Sequence, residues 1–121
     1  MEHPARAFVI GRSYGVCFSA DEERLAVVGY TVDLFDVSVG KRVAKAHPFK
    51  HPSSVDVSKN GDVIAVKSTS GDIALLDGQT LDLLQFIAGS GGSGGGSDAL
   101  LSARGGFVVD GTWGEACSFV T

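Results

Sequence analysis

The feature that most constrains this chain is a pattern that returns about every 40 residues. The segment Phe18–Val28 (FSADEERLAVV) aligns with Val57–Lys67 (VSKNGDVIAVK) at an offset of 39. Leu101–Asp110 (LSARGGFVVD) aligns again at a further offset of 44. Downstream, Val32–Asp36 (VDLFD) matches Ile73–Asp77 (IALLD) at an offset of 41, and the third copy of that slot is Cys117–Thr121. Repeats of this length are single supersecondary units that bury their apolar faces only by stacking on their neighbours.

Strand signals fill each unit. Ala7–Ile10, Gly15–Phe18, Leu25–Tyr30, Thr31–Val37, Val63–Val66, Ile73–Leu76, Leu83–Ile87, Ala99–Leu101, Phe107–Val109 and Ala116–Val120 are short apolar runs bounded by Gly, Asn, Asp or Ser. Asn60-Gly61, Asp77-Gly78 and Gly105-Gly106 read as tight turns. Leu81–Phe86 is the best helix candidate and is too short to compete. The expectation is an all-β chain of antiparallel four-stranded units.

Four strands per period of about 40 residues is the arithmetic of a β-propeller blade. The motif Val57-Ser58-Lys59-Asn60-Gly61 with Ile64-Ala65, closed by Leu76-Asp77, resembles the Trp-Asp (WD) repeat and related propellers. In the first unit the same slots hold Phe18-Ser19, Leu25-Ala26 and Phe35-Asp36, followed by Val39-Gly40-Lys41. Two family features are missing. The Trp of the closing dipeptide is replaced by Phe35, Leu76 and Val120, and the aspartate of the buried hydrogen-bond tetrad falls at Gly29, Ser70 and Gly114. The resemblance therefore implies a divergent, WD-like propeller held by apolar packing, and no tetrad residue carries over.

Labelling blade strands a to d from the centre outwards, the chain reads d, abcd, abcd, abc. One domain, 1–121, is expected, with repeats near 12–51, 52–96 and 97–121 plus 1–11. The N-terminal strand, Ala5–Ile10, is expected to complete the last blade, giving three blades, or half of a propeller. Three blades do not close a ring. The expected partner is a second copy, making six blades in a homodimer, or another propeller fragment; the chain as part of a longer propeller is the third possibility. A small sandwich or barrel is the competing fold.

Composition limits function. The net charge of −4 argues against general nucleic-acid binding and against an anionic membrane surface. No apolar run approaches a membrane span, and Met1–Arg12 lacks a signal-peptide core, so the expected location is the cytoplasm. Residues 1–67 carry a balance of +1 and residues 68–121 a balance of −5, a polarity suited to head-to-tail pairing. Glycine makes up 17 of 121 residues, and six of residues 89–96 are Gly. Residues 89–97 read as a flexible Gly/Ser loop without the Gly-Lys-Ser/Thr and helix of a phosphate cradle.

Sites of chemistry are few. Ser53 or Ser54, His51 and Asp56 could be written as a nucleophilic triad, but they follow one another in a polar stretch without a nucleophile elbow. Cys17 and Cys117 read as buried thiols in strands, with a disulfide open only if the chain ends meet. No Cys or His spacing suggests a metal, and no cofactor is expected. Asp21-Glu22-Glu23 reads as a charged hairpin tip or a basic-partner contact. Lys41, Arg42, Lys45 and Lys50 with His47 and His51 form a basic cluster fitted to an acidic partner or to discouraging edge pairing. Tyr30, Thr69 and Trp113 occupy matching hairpin slots near one rim and are the candidate interaction residues. Gly15, Ser53 and Asp98 are expected to line the central channel. The expected function is a non-catalytic interaction scaffold, not an enzyme. The alternatives are a ligand-binding or hydrolytic propeller with its site in that channel, or a propeller fragment with no separate function.

Overall fold

A computed structural model describes residues 13–89, 99–102, 104–106, 108–110 and 118–120. Among these, the structure is all β. The first sheet is a meander of β1 (Gly15–Phe18), β2 (Arg24–Val28), β3 (Val32–Asp36) and β4 (Lys41–Ala46). The second repeats it with β5 (Pro52–Val57), β6 (Val63–Ser68), β7 (Ile73–Asp77) and β8 (Leu83–Ile87). The third contains β9 (Ala99–Leu101), β10 (Val108–Asp110) and β11 (Ser118–Val120), in the order a, b, c that the repeat predicts. All pairings are antiparallel. Ala5–Ile10, Cys117 and most of the Gly/Ser loop lie outside the described residues, and so does the proposed closure of the last blade.

The repeat has a local physical cause. In the first a–b turn the Ser19 hydroxyl donates to Asp21 Oδ1 at 2.6 Å and accepts the Arg24 N–H at 3.0 Å, while Asp21 Oδ1 also accepts the Glu23 N–H at 2.9 Å. The second turn copies this atom for atom. Ser58 donates to Asn60 Oδ1 at 2.7 Å and accepts Val63 N–H at 3.1 Å, and Asn60 Oδ1 accepts Asp62 N–H at 3.0 Å. Each turn passes through one left-handed residue, Glu22 (φ 62°), Gly61 (φ 79°) and Gly105 (φ 76°), at the repeat's own offsets. The N–H of each donates to the serine carbonyl three residues back, Ser19, Ser58 or Ser102, at 2.9 Å. The third copy thus keeps the backbone turn although Arg104 replaces the Asp or Asn. The Asp that closes β3 and β7 has its own task. Asp36 Oδ1 accepts the Ser38 N–H and hydroxyl, and Asp77 Oδ1 accepts the N–H groups of Gln79 and Thr80, so each fixes its c–d turn.

Packing joins the sheets. Ala26, Val28, Val32 and Leu34 of the first sheet and Ile64, Val66, Ala74 and Leu76 of the second form one core, with Leu81 beneath it. On the second sheet's other face Ala65, Ile73 and Leu75 meet Val63, Ile87 and Leu101, which begins the contact with the third. β1 packs against β5, and β5 and β6 against β9, so the sheets converge at their inner strands. Convergence is tight at Gly15, where an added Cβ would lie 3.3 Å from Val28 Cγ2 and 3.5 Å from the Ser53 carbonyl oxygen.

Candidate functional site

The start of each a strand and each b–c hairpin lie at the same end of the sheets, because the strands are antiparallel neighbours in register. At this end Tyr14, His51, Pro52, Ser53 and Thr69 enclose a cavity of about 380 Å³. Small-molecule pockets span about 300–1,000 Å³. The Tyr14 N–H donates to the Val28 carbonyl at 2.7 Å, which anchors one wall. The Thr69 N–H donates to the His51 carbonyl at 3.1 Å, and His51 holds a left-handed φ of 56°. Of the lining residues Pro52 is buried, while His51 and Thr69 are exposed.

Tyr30 and Thr69 do occupy equivalent hairpins, and both are exposed. Only Thr69 borders the cavity; Tyr30, 71% exposed, stands clear of it. Trp113 and Asp98 lie outside the described residues. Of the expected channel residues, Gly15 is at the inner contact and Ser53 donates its hydroxyl to the Lys67 carbonyl at 3.1 Å.

The paper triad is not assembled. Asp56 Oδ2 accepts the Leu101 N–H at 2.7 Å, and its Oδ1 is 3.9 Å from the Cys17 thiol. Asp56 therefore ties the second sheet to the third rather than orienting His51. Cys17 is half-buried, not a core thiol as its apolar strand suggested, because β1 is an inner edge strand covered on one face only. Partial burial pushes its thiol pKa up, and the Asp56 charge adds to that shift. The Asp21-Glu22-Glu23 tip is mainly structural, since Asp21 is committed to its turn. Sequence reasoning missed Tyr14 and Pro52, which lie on the connections between units, and Lys67, which is buried to 1% exposure. The only signal for Lys67 is alternation: Val63, Ala65 and Lys67 share the face toward the third sheet.

These sheets define the class: an all-β chain of antiparallel, four-stranded blade repeats. No protein-family profile and no curated protein matches the chain. Among solved structures it is similar to hydrazine synthase of Kuenenia stuttgartiensis, a β-propeller-containing protein, with a TM-score of 0.76 at 18% identity. The match covers 89% of this chain and 32% of that one, so the chain spans about a third of that protein's length. At this identity the likeness is one of fold.

Proposed function

We propose that the chain is a three-blade arc of a WD-like β-propeller that acts as a non-catalytic interaction scaffold once a second copy, or another propeller fragment, completes the ring. The observation that carries this reading is the exposed apolar edge of the first blade. Val16 and Phe18 stand 52% and 51% exposed on β1. By register they share a face with Leu25 and Val27, which are already buried, and with Phe35, Asp33, Arg42 and Lys45. The opposite face of the same blade is sealed against the second. Burying a few hundred Å² of such apolar surface at about 25 cal/mol per Å² is worth on the order of 5–10 kcal/mol before association costs. The excess of negative charge in residues 68–121 favours the same head-to-tail pairing.

Sedimentation at micromolar concentration tests this. The expected particle has twice the 12.5 kDa of one chain, and Phe18→Asp returns it to a folded monomer. A well-behaved 12.5 kDa monomer of the unsubstituted chain overturns the homodimer, and its failure to bind other propeller fragments overturns the scaffold arc. A second reading, a ligand-binding propeller, is favoured by the cavity at the inner ends of β1 and β5. It requires a small ligand whose binding is lost in Tyr14→Ala.

A further inference from the structure

Two backbone irregularities and a braced hairpin meet at the cavity bordered by Tyr14, His51, Pro52, Ser53 and Thr69. His51, directly before β5, is a non-glycine residue in left-handed backbone, φ 56°. Ser53 is passed over by the strand register, in which Pro52 pairs with Ser68 and Ser54 with Lys67. Such a bulge re-aims the side chain it carries. The hairpin that brings Thr69 is braced by Ser68, 0% exposed, whose hydroxyl accepts the N–H groups of Ser70 and Asp72 at 3.2 and 3.0 Å. Bulged and left-handed residues gather at ligand sites, where the surrounding structure holds them in place. The cavity, about 380 Å³, lies near the lower end of the range for ligand sites and has room for one ring.

The lining selects the chemistry of the ligand. Among the described residues it holds no Lys, Arg, Asp or Glu. An ion would therefore lose hydration there without meeting a counter-charge. Tyr14, 56% exposed, and Pro52 supply two apolar rings. The polar groups are two hydroxyls and an imidazole. Ser53 commits its proton to the Lys67 carbonyl at 3.1 Å, so its oxygen is left to accept. Thr69 and His51 can each donate and accept. A partner for such a set must itself do both. Hydroxyl groups do; carboxylates and phosphates only accept, and ammonium groups only donate. A ring with C–H faces and hydroxyls around its edge meets both requirements. We propose that the cavity binds a neutral sugar ring, a single hexopyranose unit, with a C–H face against Tyr14 and hydroxyls on Ser53, Thr69 and His51. The inference rests on the ligand-binding reading of this cavity and names its ligand class.

Amide NMR spectra of the isotope-labelled full chain, recorded through ligand titrations, test it. The probes are glucose, galactose, mannose and their methyl glycosides, with phenol and inorganic phosphate as the competing chemistries. At least one hexose is expected to shift the Tyr14, Ser53 and Thr69 signals saturably, with a Kd in the millimolar range that suits so small a ligand. Tyr14→Ala abolishes this binding and Thr69→Val weakens it about tenfold. Tyr14→Phe and Tyr30→Ala, the latter outside the cavity, leave it unchanged, and the same spectra show that each variant is folded. Binding of a methyl glycoside together with the free hexose supports a unit at the end of a glycan; binding of the free hexose alone supports a free sugar. Saturable binding of phenol or phosphate without any hexose overturns the sugar assignment and leaves the ligand-binding reading standing. If no probe moves these signals, both are overturned. Hexose binding that survives Tyr14→Ala and Thr69→Val lies elsewhere and overturns the assignment as well.

Discussion

Leu81 combines two opposed demands. It is 3% exposed within the core between the blades, yet it holds a left-handed φ of 64°. The corresponding residue of the first blade is Gly40, with φ 71°. Truncating a buried leucine to alanine costs roughly 2–5 kcal/mol. At an ordinary strand site glycine is worse than alanine, by about 0.8 kcal/mol for the lost methyl and roughly 0.5–1 kcal/mol of backbone entropy. At a left-handed site the backbone contribution reverses to about 1 kcal/mol in glycine's favour. The two contributions then nearly cancel. Leu81→Ala and Leu81→Gly are expected to lose similar stability, within about 1 kcal/mol of each other. Urea midpoints at one protein concentration and constant m-value measure this, since association would otherwise shift the apparent stability. A Leu81→Gly variant less stable than Leu81→Ala by about 1.5 kcal/mol or more refutes the reasoning, because that is the ordinary right-handed result.

Gly78→Ala is expected to destabilise by roughly 2–4 kcal/mol, since its Cβ would drive into the Gly61 carbonyl and strain the Gly78 N–H bond to the Asp62 carbonyl, 2.8 Å. Gly106→Ala, which meets nothing within 4 Å, is the matched near-neutral control in the same urea series. Ser58→Ala removes a hydroxyl, 1% exposed, that both donates to Asn60 and accepts from Val63; a loss of about 1–3 kcal/mol is expected by thermal melting, and a neutral result would mean the turn closes without it. Acid should weaken the fold through the turns. Hydrogen bonds from Ser19, from Ser38 and from the Gln79 and Thr80 N–H groups hold the carboxyls of Asp21, Asp36 and Asp77 below their ordinary value. A depressed folded-state pKa gives stability present above the unfolded value and lost as pH falls through the folded one, so urea midpoints should hold from neutrality to about pH 4 and then decline, less steeply in Asp77→Asn. A midpoint that rises on acidification would contradict this.

The b and c strands were legible because they are central. Ile64 to Val66 and Ile73 to Leu76 are buried on both faces and read as continuous apolar runs. The a–b turns were legible because Ser19–Asp21 and Ser58–Asn60 carry the hydrogen bonds that make them. β4 was hidden as an apolar run: Lys41–Ala46 is an outer strand, largely exposed, and only the period locates it. β5 was equally faint, since Pro52–Val57 is half-buried along an inner edge and alternates weakly. The cavity was illegible for a different reason. Tyr14 and Pro52 come together only when two units stack, and no local pattern records which residues of successive units will touch. Thr69, which borders the cavity, was legible only as a hairpin residue at a fixed place in the repeat.

The meander order of each sheet also sets the tempo of folding. Each strand in the two four-stranded sheets pairs with the strand just before or just after it, so a blade asks for no distant segment of chain. Such neighbour-to-neighbour topology lowers the loop-closure entropy that slows most β proteins. During synthesis, residues 15–46 have every partner strand they need before Pro52 leaves the ribosome. The core between blades follows when the second meander arrives. Under the proposed ring completion, joining the arc to its partner is a later, bimolecular step. Val16 and Phe18, half-exposed on β1, are then the apolar surface that a chain awaiting its partner presents to its neighbours, and its aggregation should fall as that partner is supplied.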